Sequence, residues 1–572
     1  MLKKIWNIKE VSDINEVAYL ADSLNISEVL AKLLVLRGIT TFSDAKIFFR
    51  PSVNLLYDPF LMDGMEKATT HVIDAITCNK KIVIYGDYDV DGTCSTALLY
   101  MFLKELGADV VFYIPNRIKE GYGISRLGID FAKSNDTSLM ISVDCGITAI
   151  EETDYANEQG IDLIICDHHQ PKDELPRAFA ILDPLKPGCN YPFKYLSGAG
   201  VAFKLAQGIS ERIGQRELPL KYLDLVSLAG AADIVPLIDE NRILVKEGLV
   251  LINNNPRPGV KALISKSGME PGNLSSGNIV FTLAPRINAV GRLGDAHVAV
   301  ELLISDDITK AEEIASILES ENRERRKIDE DTLNEAISVV ESNLNLEDEL
   351  AIVLHEEGWH PGVIGIVASR LVEKYYRPTV MLTTIEGVAK GSARSISNFN
   401  IYEALKECEE LLVHFGGHQA AAGVAVEIEK INEFREKFNK VVREKLNNEF
   451  PLPKLEIDSK IKLSEITPKF LRIIDQFTPF GPSNMRPTFL VEDAELTSYV
   501  KIAGGRHLIF AIKQKGCDRV FDCVAFEMSE FAEKLSANNI TLDIVFSIDQ
   551  MKRDGRLFPQ LKIKDLKIKE NN

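Results

Sequence analysis

The sequence has no apolar run long enough to cross a bilayer, and its first residues, MLKKIWNIKEVSD, lack the apolar core of a secretory signal. The expected compartment is therefore the cytoplasm. Cysteine is sparse: eight residues, scattered, with no CxxC pair, so neither a disulfide scaffold nor a thiolate zinc site is expected. No low-complexity tract or obvious repeat interrupts a composition that is 45% hydrophobic and 26% charged, as in ordinary globular proteins. Positive charge is also short, 66 Lys and Arg against 84 Asp and Glu, for a formal net charge of -18. That deficit argues at first sight against a nucleic-acid partner. Acids clustered to hold dications would invert the local field, however, so both readings stand at this point.

What is present is length and pattern. A chain of 572 residues is too long for one core and implies several domains. Residues 1–64 show helical spacing that ends at FFRPSVNLLYDP, and a helical N-terminal segment packing on the next domain is expected. Residues 65 to about 235 alternate short apolar runs (KIVIYG, ADVVFYIP, SLMISVDCG, IDLIICDHH, AFAILDP) with amphipathic helices, the pattern of βαβ units around a mostly parallel sheet, and a helical stretch follows within a domain expected over 65–304. Residues 305–345 hold a stretch free of Gly and Pro with Ser305, Asp306 and Asp307 at its start, which predicts one long connecting helix. Its middle, ESENRERRKIDED, is polar on every side, as a solvated bridge would be. A second, smaller α/β domain is expected over 346–450, and 451–572 read as short strands with glycine turns, a small barrel of the OB kind.

The chemistry-bearing residues fall at strand ends. KIVIYGDYDVDG places Asp87, Asp89 and Asp91 at alternate positions, and an extended loop would turn all three to one side. SLMISVDCG delivers Asp144; IDLIICDHH delivers Asp167, His168 and His169; helical AGAADIV adds Asp233. Parallel sheets gather their sites outside the carboxyl ends of strands. Like charges brought together there raise one another's pKa, and two dications relieve the repulsion. Carboxylates with imidazole and no thiolate suit Mn²⁺ or Mg²⁺. Singly, each Asp also reads as a turn former or helix N-cap, and His168 as a structural histidine. In the second α/β domain, Gly416 and Gly417 would let backbone N–H groups approach a phosphate beside His418, and KGSARS offers Ser392 and Arg394, a bidentate fork. A plain glycine turn and a surface arginine are the ordinary alternatives. The locally basic stretch MKRDGRLFPQLKIKDLKIKE suggests a single-strand grip by the barrel, or merely a lysine-rich edge strand.

DYDVDG, VDCG, the literal DHH at 167–169 and AADIVP resemble the successive motifs of the DHH phosphoesterase superfamily, and FGGHQAAAG resembles its DHHA1 partner domain. PNRIKEGYG, RINAVGRLGDA, GWHPGVIGIVASRL, KGSARS and FGPSNMRP extend the resemblance to the RecJ-type single-strand-specific 5′→3′ exonucleases. Cys94 stands where that family more usually has Thr or Ser. The resemblance implies a DHH catalytic domain at 65–304, a DHHA1 domain at 346–450, and two-ion hydrolysis releasing 5′-mononucleotides in DNA recombination and repair. It implies Asp87, Asp89, Asp91, Asp144, His168 and Asp233 as metal ligands, with Asp144 bridging two Mn²⁺ (or Mg²⁺) ions. Asp89, Asp91, Asp144, His168, His169 and Asp233 would be catalytic, His169 contacting the scissile phosphate. Arg117, Arg286, Ser392, Arg394, Gly416, Gly417 and His418 would hold the strand. A monomer is expected, supplied with substrate by a single-strand-binding protein and a helicase. A groove between the α/β domains is expected to admit one strand and exclude a duplex. Two rival readings are a DHH phosphodiesterase or nanoRNase acting on short oligonucleotides or cyclic dinucleotides, and a non-catalytic replication scaffold.

Overall fold

The computed structural model describes residues 2–117, 119–536, 540–553 and 556–570. The chain forms two compact units, one of 39–323 with 472–486, the other of 1–38, 324–471 and 487–572.

The first unit is built on a five-stranded, all-parallel sheet with spatial order Val110–Tyr113, Ile82–Gly86, Leu139–Val143, Asp162–Cys166, Ala180–Leu182. The strands are nearly unbroken apolar runs because both faces are covered. Ile82 and Ile84 turn into one core with Leu98, Leu99, Phe102, Val201 and Phe203, while Val83 and Tyr85 turn into another with Ile129, Ala132, Met140 and Ala156. Helices Val90–Glu105, Gly198–Arg212 and Leu223–Ala232 lie on the first face; Arg126–Ser134 and Ile150–Glu158 lie on the second. The first strand of this sheet is flanked by the second and third. That order makes the carboxyl ends of Ile82–Gly86 and Leu139–Val143 a topological switch point, where open α/β sheets leave a crevice.

In the second unit, strands Leu412–Gly417, Ala421–Glu427, Val388–Arg394, Thr379–Ile385 and Ile352–His355 form a sheet, parallel only between the last two. Helices Ile364–Tyr375 and Ile431–Lys445 cover it through Val367, Leu371, Phe434 and Phe438. Phe489–Leu496 pairs with both Ile540–Arg553 and His507–Gln514, closing a five-stranded barrel in which only Cys517–Ala525 and Arg556–Glu570 run parallel, the OB arrangement.

Three expectations change. The N-terminal segment divides instead of lying wholly on the catalytic domain: Met1–Gly38 belongs to the second unit, where Ile5–Ile8 is a strand parallel to Lys454–Ile457 and Trp6 donates to Asp565 at 2.7 Å. The long helix is a single element, Ile308–Asn343, but its middle is no solvated bridge. Asn322 and Asp329 are buried, and Asp329 meets Arg370 at 3.2 Å and Arg325 at 3.7 Å, an ion pair that makes burial of the carboxylate tolerable. Finally, the basic stretch 551–570, of which 554 and 555 lie outside the described residues, is not an edge strand. Residues 560–563 are paired on both sides. Three of its lysines face internal partners: Lys562 meets Asp549, Lys569 meets Asp493 and Asp543, and Lys567 lies over the Trp6 ring.

Candidate metal centre

Gly86, Val143, Cys166 and Leu182 share one row of the parallel sheet, so the residues that follow them leave it side by side. Those residues are Asp87, Asp144, Asp167 and Asp183. The loop after Gly86 is not extended throughout, because a helix begins at Val90. Asp89 is the N-cap of that helix, accepting from the Gly92 N–H at 3.0 Å, and Asp91 lies in its first turn. Convergence therefore comes from the strand-to-helix turn rather than from alternation along a loop. Asp91 is gripped from a second helix: the N–H groups of Gly198 and Ala199 donate to its two carboxylate oxygens at 2.6 and 2.7 Å. Gly198 has no room for a side chain, since a Cβ there would lie 2.7 Å from Asp144 Oδ1. Asp144 itself is held at φ 61°, a left-handed conformation that a non-glycine residue adopts at a cost and that clusters at functional sites.

The side chains close in on one point. His168 Nε2 lies 3.1 Å from Asp144 Oδ1, 3.6 Å from Asp233 Oδ2 and 3.8 Å from Asp91 Oδ2. Asp91, His168 and Asp233 each present a ligand atom within 4.8 Å of the others; so do Asp87, Asp89 and Asp144, and so do Asp144, His168 and His169. Asp144 stands in two of these three groups and His168 in two, so the groups adjoin, with room for two ions. Asp167 does different work. It accepts from Ile147 N–H and His168 N–H, and its Oδ1 lies 2.7 Å from His169 Nδ1.

Electrostatics agree with an ion site. Burial, then the neighbouring Asp89 charge, pushes Asp91 up to about 7. Burial with Asp91 and Asp89 pushes Asp233 up to about 9. Asp87 and Asp144 are raised well above the carboxylate range, by burial first and then by other carboxylates. Burial lowers His168 to about 4, which leaves the neutral imidazole that a metal requires. Burial also opposes charge on His169, but the bond and charge of Asp167 prevail and push it up to about 9. Asp87 Oδ1 is buried without a hydrogen-bond partner, an orphan a cation would satisfy. Cys94, Cys145 and Cys166 are buried beside the cluster with their thiols pushed up by burial, so oxygen and imidazole are the donors on offer. The donor set fits Mn²⁺ or Mg²⁺.

A stability prediction follows from those directions. Asp91, Asp233 and His169 hold protons in the folded chain above the pH at which the unfolded chain releases them, so their contribution is present at low pH and lost as pH rises through their folded values. Metal-free protein should lose stability from pH 6.5 to 9, at ~1.4 kcal/mol per pH unit for each proton retained. Saturating Mn²⁺ should flatten that slope by displacing the protons. Thermal melts across this range with and without Mn²⁺ check it; equal slopes would contradict the cluster as an ion site.

Other residues were not singled out from sequence. The Tyr122 hydroxyl lies 3.3 Å from Asp144 O and 3.2 Å from His169 Nδ1. The Val90 N–H donates to Asn288 Oδ1 at 3.1 Å, and Gly291 is required because a Cβ would lie 2.4 Å from Tyr88 O. Asp87, Asp89, Arg117, Tyr122, Asn288 and Arg292 line a cavity of about 230 Å³. Asp183, buried and pushed up to about 7 by burial, stands two strands from Asp144; its signal was one more Asp closing an apolar run.

Of the expected phosphate contacts, Arg117 lies over the Tyr88 ring at 5.1 Å beside the acids. Arg286 is buried in an internal ion pair instead, donating to Glu319 and to Thr282 O, both at 2.6 Å. In the second unit, Ser392 and Arg394 lie on one strand, with Arg394 donating to Ser392 Oγ at 2.6 Å. Ser392 pairs across Gly423 with Gly416, and at Gly417, φ 147°, a Cβ would lie 2.4 Å from Ala421 O. His418 is exposed at the adjoining turn, its N–H bonded to Ala421 O. Ser392, Arg394, Gly416, Gly417 and His418 thus share one end of one sheet.

Residues 81–230 match the DHH family, N-terminal domain; 348–444 match the DHHA1 domain; 457–565 match the RecJ OB domain. The chain is 42% identical over 571 residues to the single-stranded-DNA-specific exonuclease RecJ of Bacillus subtilis, covering 99% of this chain and 71% of that one. It is 33% identical over 486 residues to the exonuclease of the same name from Escherichia coli, covering 82% and 84%. The crystal structure of RecJ from Thermus thermophilus in complex with Mn²⁺ superposes with a TM-score of 0.83 at 29% identity, over 99% of this chain and 80% of that one. With three domain matches in order and these relatives along almost its whole length, the chain belongs to the RecJ family.

Proposed function

We propose that the chain degrades single-stranded DNA by two-ion phosphodiester hydrolysis at the Asp87–Asp233 cluster, removing 5′-mononucleotides in the 5′→3′ direction. The observation that carries this is the meeting of five carboxylates and the neutral His168 imidazole at the switch point of the sheet. Asp87, Asp89 and Asp144 would hold one ion, and Asp91, His168 and Asp233, with Asp144 alongside, the other. When bound, such ions neutralise phosphate charge and activate water at neutral pH. His169, kept cationic by Asp167, offers a proton and a positive charge to a phosphate oxygen at the exposed side of the cluster. Arg117, Ser392, Arg394, Gly416, Gly417 and His418 are the strand contacts of this reading. Arg286 would reach a phosphate only by leaving Glu319. Exposed Tyr499, Phe526 and Phe558 on the barrel supply stacking faces for bases, a better basis for its grip than the internally paired lysines.

The same reading takes the chain as a monomer of the cytoplasm working in recombination and repair. Its substrate would be exposed by a helicase and coated by a single-strand-binding protein. End-labelled single strands should be shortened from the 5′ end only with Mn²⁺, and blunt duplex should resist. Release of mononucleotide from the 3′ end would reverse the polarity, and faster hydrolysis of a dinucleotide than of a long strand would favour the oligonucleotide phosphodiesterase.

A further inference from the structure

FGPSNMRP, which resembles its family counterpart but has no part in the chemistry above, lies, save its last residue, in the segment 472–486 that folds with the catalytic unit. Asp233 needs outside support. It caps the helix Leu223–Ala232, and the next residue, Ile234, is β-branched, 71% exposed and at φ 62°. A backbone so strained persists only where its surroundings dictate it. Those surroundings grip Leu237. Its N–H donates to Pro482 O at 2.8 Å, and its buried side chain fills the space over Gly481, where a Cβ would lie 2.5 Å from Leu237 Cδ1. The segment is itself rigid. Asn484 Nδ2 donates to Phe477 O and Pro479 O at 2.8 Å each, and Gly481 and Asn484 exchange backbone hydrogen bonds at 3.1 and 2.9 Å. It is anchored by the Phe477 ring, edge-on to Phe48 and Phe49 at 5.3 and 5.5 Å. Arg242 donates to Phe477 O and Gln476 O at 2.8 and 3.1 Å, and Ser276 to Phe480 O at 2.6 Å.

We propose that Gly481, Pro482 and Asn484 are positioning residues: a strap from the C-terminal part of the chain that holds the loop Asp233–Leu237 and thereby places the Asp233 carboxylate against its ion. The inference rests on the reading of Asp233 as a metal ligand. Because Asp233 groups with Asp91 and His168 and not with Asp87 and Asp89, loosening the strap weakens one of the two ion sites and spares the other.

The test is calorimetric Mn²⁺ titration of the metal-free full chain, at a temperature well below each variant's melting point. Gly481→Val and Asn484→Ala should weaken one binding step by ~10-fold or more, the range seen when an outer support of a ligand is lost. The other step should stay within about twofold of wild type by the same scale. Leu263→Ala, a core truncation in the same unit, controls for general destabilisation and should leave both steps unchanged. If the strap variants keep both steps while Asp233→Ala loses one, the strap is refuted and the metal reading survives. Equal weakening in Leu263→Ala would also refute the strap. If Asp233→Ala leaves both steps intact, the assignment of Asp233 as ligand fails and takes the strap with it.

Discussion

Asp144→Ala should cut hydrolysis of a labelled single strand in saturating Mn²⁺ by far more than the ~100-fold that loss of an outer support typically costs. Asp144 is the one carboxylate that stands both in the Asp87–Asp89 set and against His168 Nε2, so its loss opens both ion sites together. The φ of 61° at this residue is one that Ala adopts no more readily than Asp, so the replacement brings no backbone relief. Folding should survive, and the metal-free variant should melt no lower than wild type, since a buried carboxyl that resists ionisation has been removed. Single-turnover kinetics and metal-free melting separate the two effects. A rate within tenfold of wild type would overturn the bridging position.

The second large effect concerns stability. Lys204 and Glu240 form an ion pair with both side chains fully buried, 2.7 Å apart. Glu240 also accepts from Tyr57 N–H at 2.9 Å and from the Tyr191 hydroxyl at 2.7 Å, while Lys204 donates to Tyr57 O at 2.8 Å. Lys204 lies on the helix whose first N–H groups hold Asp91, so the pair anchors the wall behind the metal centre. Glu240→Ala leaves a buried ammonium without its counter-charge, and a hydroxyl and an amide without their acceptor. It should cost ~3–5 kcal/mol, whereas Lys204→Met combined with Glu240→Leu should cost far less because no charge is stranded. Denaturant unfolding of the single and double variants checks the order; a double variant less stable than the single would refute it.

The catalytic strands and their acids were legible in the sequence because a parallel strand buried on both faces is a plain apolar run, and an Asp closes each run. Ile82–Gly86, Leu139–Val143 and Asp162–Cys166 sit where the pattern put them. Asp183 closes the run AFAILDP in the same way but stands two strands from Asp144, a spacing that the local pattern does not encode. Gly198 and Ala199 escaped because their role is to lend backbone N–H groups to a carboxylate about a hundred residues upstream, a distance no local pattern encodes. The same holds for Arg242, which looks like any polar helical residue until it meets the carbonyls of 476 and 477. Ile5–Ile8 is a strand only because Lys454–Ile457 presents an edge to it.

The course of the chain through residues 472–486 bears on how the enzyme is born. A ribosome makes 39–323 first, with every acid of the metal centre, then the second α/β domain, and only then the stretch that completes the first unit. A nascent chain, or one cut short by a premature stop before residue 472, would carry the acids without the contacts that seat Leu237. Full occupation of both ion sites would thus arrive late in synthesis, once residues 472–486 have docked on the loop before Leu237.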